Sequence, residues 1–300
     1  MISMMYNPQL DTFLRVAEAG SFSKAAEEMF ITPPAVIKQI NLLEDGLGVK
    51  LFTRTHRGLL LTEAGKSMYG DTKRIIQDCN EAVVRAKNAM QDSGNVVRIG
   101  TSPMTPGQFV LKLWPAIQEQ CPDIKFQLVP FENSPQNARN ILRSLGQNID
   151  IVAGAFDQNF LQSRKCAGLE LLQAPIRCAA SIYHHLAEKN SLTVQDLYGE
   201  ELMLIQRGWN QSMDILRDDL WQLHPSVNIV DFDFFSLEVY NQCENSSAVL
   251  TTIDPWAGIH PLLKVLPVDW DYKISFGLLH SPKPSPAVRR LLDAFQAVYQ

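Results

Sequence analysis

Thr32-Pro33-Pro34-Ala35-Val36-Ile37-Lys38-Gln39-Ile40-Asn41-Leu42-Leu43-Glu44 reads as a helix with two unlike faces. Thr32 suits the N-cap and Pro33 the first helical position, where a missing N–H costs nothing. Pro34 lacks an N–H as well, so the Thr32 hydroxyl is expected to serve the amide of Ala35. Val36, Ile40 and Leu43 fall on one apolar stripe. Opposite them, at 100° per residue, lie Pro34, Lys38 and Asn41, with Ala35 and Ile37 on the flanks. Upstream, Leu10, Phe13, Leu14 and Ala17 mark the buried face of a first helix that Gly20 ends. Ser21 or Ser23 can cap a second helix, whose Ala25 and Ala26 permit close packing. Two short helices joined by a tight turn, the second presenting a cation, an amide and small apolar groups, have what major-groove reading requires. By spacing alone, three packed helices with no ligand are the commoner outcome.

Downstream, residues 47–52 and 58–62 read as short apolar strands around the basic tip Arg54-Thr55-His56-Arg57. Such a wing suits phosphates or an adjacent minor groove. A basic hairpin tip is otherwise usually a solvated loop, an outcome less expected behind a helix-turn-helix. The net charge of −5 over 300 residues argues against nucleic acid until its distribution is read. Residues 1–93 hold 11 Lys+Arg against 11 Asp+Glu, so the acidic excess lies entirely beyond them. Residues 46–62 carry Lys50, Arg54 and Arg57 and no acid, a local basic patch on a neutral domain.

Four blocks in order resemble the N-terminus of LysR-type transcriptional regulators. They are the run from Phe13 to Glu27 containing Ala17-Glu18 and Gly20-Ser21-Phe22-Ser23, then Pro34-Ala35-Val36 with Lys38-Gln39-Ile40, Leu47-Gly48-Val49 with Leu51-Phe52 and Arg54, and Arg57-Gly58 with Leu61-Thr62 and Ala64-Gly65. The resemblance implies that Ser23, Thr32, Pro33, Pro34, Ala35, Lys38, Arg54 and Arg57 lie at or near DNA. Ile37 stands where the family often has Ser, exchanging a hydroxyl contact for one suited to a thymine methyl.

From Glu63 to Gln91 there is no proline. Tyr69, Thr72, Ile76, Cys79, Val83, Ala86 and Met90 recur in steps of three and four, a coiled-coil seam about three heptads long. One long helix packed on its own domain is the alternative to pairing between chains. Pairing would put two readers on one two-fold axis, and the resemblance implies a dimerising linker helix here. Cys79 on this seam reads as a buried apolar residue.

Beyond residues 92–95, strands at 96–100, 125–131, 150–155, 176–182, 201–206, 227–232, 248–252 and 273–279 alternate with helices at 107–120, 134–145, 211–223, 237–244 and 285–299. Such alternation predicts an α/β region of mostly parallel sheets, and its length suits two lobes. Ligands in such lobes sit at the carboxyl ends of strands. Thr101, Ser102 and Pro103 follow one strand, Arg207 with Trp209 and Asn210 another, and Thr251 and Thr252 end a third. Arg207 would suit a carboxylate-bearing effector or make only a surface ion pair. The resemblance implies a two-lobed effector domain like periplasmic binding proteins, with effector-cleft candidates Thr101, Ser102, Pro103, Phe131, Arg207 and Thr251. It places lobe one at 95–167 plus 266–300 and lobe two at 168–265, with crossovers near 166–169 and 264–268. The expected domains are thus a winged helix-turn-helix at 1–62, a linker helix at 63–92 and an effector-binding domain at 93–300.

No catalytic motif is present. His184 and His185 are adjacent, so on a strand or helix they would point apart, a poor geometry for metal. No metal and no cofactor is therefore expected. The five scattered cysteines fit a reducing cytoplasm, and no signal peptide or membrane span is read. The expected partners are double-stranded DNA, a small-molecule effector and a second or further copies of the chain as dimer or tetramer, with RNA polymerase as one more.

Overall fold

The computed structural model describes residues 5–55, 58–91, 94–105 and 107–299. The chain divides into two compact units, Met1–Gln91 and Asp92–Gln300.

The first unit begins with α1 (Gln9–Ala19), α2 (Phe22–Glu28) and α3 (Pro33–Leu47). Phe13, Val16, Ala25, Val36 and Ile40 are almost wholly buried where the three helices meet. Thr32 is the N-cap of α3, but its carbonyl, at 2.9 Å, and not its hydroxyl accepts the Ala35 amide. The strand expected at 47–52 lies further on. Helix α3 runs to Leu47 and ends at Gly48, whose left-handed backbone lets its N–H reach the Glu44 carbonyl. The hairpin is β1 (Phe52–Thr55) paired antiparallel with β2 (Gly58–Leu61). Between helix and hairpin the Glu44 carboxylate accepts the amides of Leu51 at 2.8 Å and Phe52 at 3.2 Å, tying α3 to the wing. Helix α4 (Glu63–Gln91) then starts against the hairpin base. A Cβ at Gly65 would sit 2.1 Å from the Leu51 carbonyl oxygen, so only glycine admits this approach.

The second unit alternates β3 (Val96–Thr101), α5 (Gln108–Gln120), β4 (Lys125–Pro130), α6 (Pro135–Arg143), β5 (Ile151–Phe156), α7 (Gln158–Arg164) and β6 (Ala167–Ser181). It continues with β7 (Glu201–Ile205), α8 (Gln211–Leu223), β8 (Asn228–Phe232), α9 (Leu237–Glu244), β9 (Val249–Ile253), β10 (Leu263–Leu266), β11 (Lys273–His280) and α10 (Pro286–Tyr299). Strand order is β4-β3-β5-β11-β6-β9-β7-β8, with β10 also on β6. The outer pairs are parallel, whereas β11 with β5, and β6 with β11, β9 and β10, are antiparallel. The sheets are therefore mixed, because two long connections run back through the middle.

Those connections change partners along their length. Strand β6 pairs with β11 from Ala167 to Pro175 and with β9 from Ile176 to Ala179. The first changeover thus falls at Pro175, about where its missing N–H deprives no ladder of a bond. The return falls between Val268, still bridged to Leu192, and Lys273. The partner changes thus fall at Pro175 and between Val268 and Lys273, a few residues beyond the expected crossovers near 166–169 and 264–268. Asp150 sits behind β3, its carboxylate accepting the Arg98 amide at 2.8 Å and the guanidinium at 2.9 and 3.1 Å.

Candidate functional site

Helix α3 presents a face that no part of the described chain covers. Thr32, Pro33, Pro34, Lys38 and Asn41 are exposed, Ala35 and Ile37 half-buried. Neither Lys38 nor Asn41 has a side-chain partner among the described residues. Ser23 on α2 is exposed as well. Arg54 lies on β1, paired with Leu59, rather than at the tip of the hairpin. Its guanidinium carbon stands 5.7 Å from the centre of the Phe22 ring, so α2 steadies it. Arg57 lies outside the described residues. Lys50, grouped with these arginines by sequence, is instead bound to Glu44 at 2.7 Å. Phe30, in the turn before α3, is 95% exposed with φ of 55°, a left-handed conformation that costs an L-residue energy.

The seam of α4 splits. Thr72 is fully buried and Ile76 packs against the core under α1, while the Tyr69 hydroxyl reaches Glu18 at 3.2 Å. The Cys79 thiol lies 3.7 Å from the Met5 carbonyl. These four positions pack on the chain's own first unit. Val83 is half-buried, Ala86 is exposed, and the Met90 side chain lies outside the described set. Ile75, Ala82 and Ala86 follow on an adjoining stripe, with Ile75 38% exposed.

In the second unit a cavity of about 270 Å³ opens between the lobes. Phe131 and Arg207 line it, as do Met104 and Thr105 from the loop after β3. Thr101, Ser102 and Pro103, expected there, are not among the residues that line it. The Ser102 hydroxyl is spent on that of Thr105, 2.8 Å away. Arg207 is bound to Asp218 on α8. Thr251 does not face the cleft: it is fully buried and donates to the Met203 carbonyl at 3.0 Å. Trp209, picked out by its place after β7, lines the cavity, but sequence reasoning missed Phe235 and Trp256, which complete the lobe-two wall with ring centres 4.7 to 6.3 Å apart. It also missed Arg139 and Arg164 on the lobe-one wall. The signal for α7 was Asp157, whose carboxylate caps the helix by accepting the Phe160 amide at 2.7 Å.

His184 and His185 do not point apart. They enter a 3-10 turn rather than a strand, their ring centres are 4.4 Å apart, and Glu200 lies 3.4 and 3.3 Å from their Nε2 atoms. By distance alone the three groups could share an ion. The His184 ring is committed on both sides, however. Its Nδ1 accepts the Leu186 amide at 3.2 Å, which keeps the ring proton on Nε2, 3.1 Å from the Ser247 carbonyl. A metal at Nε2 would have to displace that proton, so this trio fits a hydrogen-bonded support for the turn.

Residues 8–66 match the family described as bacterial regulatory helix-turn-helix protein, lysR family, and residues 91–300 match the LysR substrate binding domain. The chain belongs to the LysR family. It is a DNA-binding transcriptional regulator with a substrate-binding domain. It is 30% identical over 215 residues to the HTH-type transcriptional activator CmpR of Synechocystis sp., covering 69% of this chain and 66% of that protein. It is also 30% identical over 239 residues to the HTH-type transcriptional regulator YwqM of Bacillus subtilis, covering 78% and 77%. Among solved structures, CbnR, a LysR family transcriptional regulator, superposes with a TM-score of 0.62 at 18% identity, covering 97% of this chain and 98% of that one. Full-length CbnR in complex with its target DNA gives 0.60 at 19% identity, with the same coverage. These two likenesses concern the fold. No helix among the described residues is long and apolar enough to cross a membrane.

Proposed function

We propose that this LysR-family regulator acts in the cytoplasm, without catalysis, by setting α3 of two paired copies into successive major grooves of an operator. The observation that carries this reading is the outer face of α3, where Lys38 and Asn41 are exposed, and unengaged by any described residue, beside half-buried Ile37 and Ala35. Residues that serve only packing would not leave a cation and an amide free over a row of small groups. Exposed Thr32 and Ser23 supply hydroxyls, and Arg54 a cation, for backbone phosphates. Pairing is assigned to α4, through the stripe of Ile75, Ala82 and Ala86 beside the self-packed seam. A small molecule in the cleft of the second unit would bind two arrangements of the assembly with different affinity, and thereby alter the bound DNA or its contact with RNA polymerase. Footprinting on the DNA flanking the protein's own gene tests the reading. Protection of a near-palindromic site whose halves lie about one helical turn, or a multiple of it, apart supports it. Protection of no discrete site, at protein concentrations that retard every duplex, contradicts it.

A further inference from the structure

The cleft holds two cations that no carboxylate among the described residues pairs. Arg139, in mid-α6, and Arg164, in the last turn of α7, both line the cavity. Among the described residues neither has an ion-pair partner, and the Arg164 Nε is buried without a hydrogen bond. The Arg164 guanidinium lies 5.3 Å from the centre of the Phe160 ring. Burial first, then repulsion from Arg139 and Arg143, lowers its pKa from the ordinary arginine value. The third arginine of the wall, Arg207, is answered by Asp218. One exposed carboxylate, Asp233, also borders the cavity. A helix C-terminus attracts a cation, which accounts for Arg143 at the end of α6. It favours Arg164 at the end of α7 as well, but it does not account for the buried, unpartnered Arg164 Nε on a ligand-sized cavity, nor for Arg139, exposed in mid-α6 on the same wall. On the lobe-two side the cavity is lined by the aromatic side chains of Trp209, Phe235 and Trp256.

We propose that Arg139 and Arg164 are the anion-binding end of the cleft, and that the effector is a small organic anion with a flat apolar body. The guanidinium groups hold the charge from lobe one, and the Trp209, Phe235 and Trp256 rings cover the body from lobe two. Such a ligand rewards closure of the lobes, because each contributes a different half of the recognition. The inference rests on the reading of this cleft as the effector site.

Full-length protein is titrated with benzoate, phenylacetate and phenyl phosphate, with benzamide and phenylacetamide as uncharged counterparts and inorganic phosphate as charge without a body. Thermal shift and tryptophan fluorescence are the readouts, on wild type, Arg139→Gln, Arg164→Gln and Ala138→Trp, the last filling the cleft without changing charge. At least one aromatic anion is expected to bind while its amide does not, the carboxylates and the phosphate ester showing which acid is preferred. Each glutamine variant should weaken it on the order of 10- to 100-fold. Ligand-free Arg164→Met should melt above wild type, since an unsatisfied, repelled cation is removed. Amides binding as well as acids, affinity indifferent to both arginines, no anion binding at all, or a lower melting point for Arg164→Met would each overturn the proposal. Binding lost in Ala138→Trp but indifferent to the arginines would leave the cleft reading standing alone. Binding retained in Ala138→Trp would place the anion elsewhere and overturn both.

Discussion

Replacing Glu44 tests how the wing is held to the recognition helix. The side chain is 6% exposed, and its carboxylate takes two backbone amides and the Lys50 ammonium. Alanine at this position removes Oε1, the one oxygen that accepts both amides, and strands the Leu51 and Phe52 N–H groups in a largely buried setting. At roughly 1–3 kcal/mol for each unsatisfied amide, Glu44→Ala is expected to destabilise the wing by about 3 kcal/mol. Glu44→Gln keeps an acceptor and loses the charge, so about 1–2 kcal/mol is expected. Burial raises the Glu44 pKa, but the bonds from Lys50 and the two amides outweigh it, so the net shift is downward from 4.5. A carboxylate whose folded pKa is depressed contributes stability at and above its unfolded pKa, and that contribution is lost as pH falls through the folded value. The gap between wild type and Glu44→Gln should therefore narrow below about pH 4.5. Hydrogen exchange in the full chain reports both effects locally. The Leu51 and Phe52 amides should exchange on the order of 100-fold faster in Glu44→Ala. Less than threefold acceleration at both amides would refute the reasoning.

Phe30→Asn should stabilise the first unit by about 1 kcal/mol, because asparagine tolerates the left-handed conformation and an exposed ring is given up; a lower melting transition would show that the ring is held by an unseen contact. Asp150→Asn leaves the Arg98 guanidinium, with a side chain 13% exposed, beside a neutral partner, and should cost the second unit about 3–5 kcal/mol in urea unfolding. A loss under 1 kcal/mol would mean that the pair is solvated. Thr251→Val should cost about 1 kcal/mol and leave anion affinity unchanged, since its hydroxyl serves only the Met203 carbonyl. A changed affinity would put Thr251 back in the cleft.

What could be read from sequence was local. The stripe Val36, Ile40, Leu43 and the Thr32-Pro33 start fix α3 through contacts within a few residues, and the structure repeats them. The hairpin register was less legible, because the left-handed stop at Gly48 and the Glu44 bond to Leu51 come from tertiary packing. The β6 path was hidden by Pro175, which reads as a break where the strand only changes partners. Strand parity could not exclude Thr251, since β9 is buried on both faces. The cleft was the least legible region, because its wall is gathered from separate segments of two lobes. Sequence left Arg207 open between an effector contact and a surface ion pair, because Asp218, the residue that neutralises it, comes from a neighbouring helix. Arg164 sits on a seven-residue helix too short to show a period.

The central claim is that α3 reads DNA through Lys38 and its neighbours. Fluorescence anisotropy of duplexes from the DNA flanking the protein's own gene, at about 50 and about 200 mM salt, compares wild type with Lys38→Ala. One fragment should bind on the order of 1,000-fold tighter than the rest, with affinity falling steeply as salt rises. Lys38→Ala should lose about 1–3 kcal/mol on that fragment and far less on the others. Equal, weak binding of every fragment, unchanged by the substitution, would contradict the account.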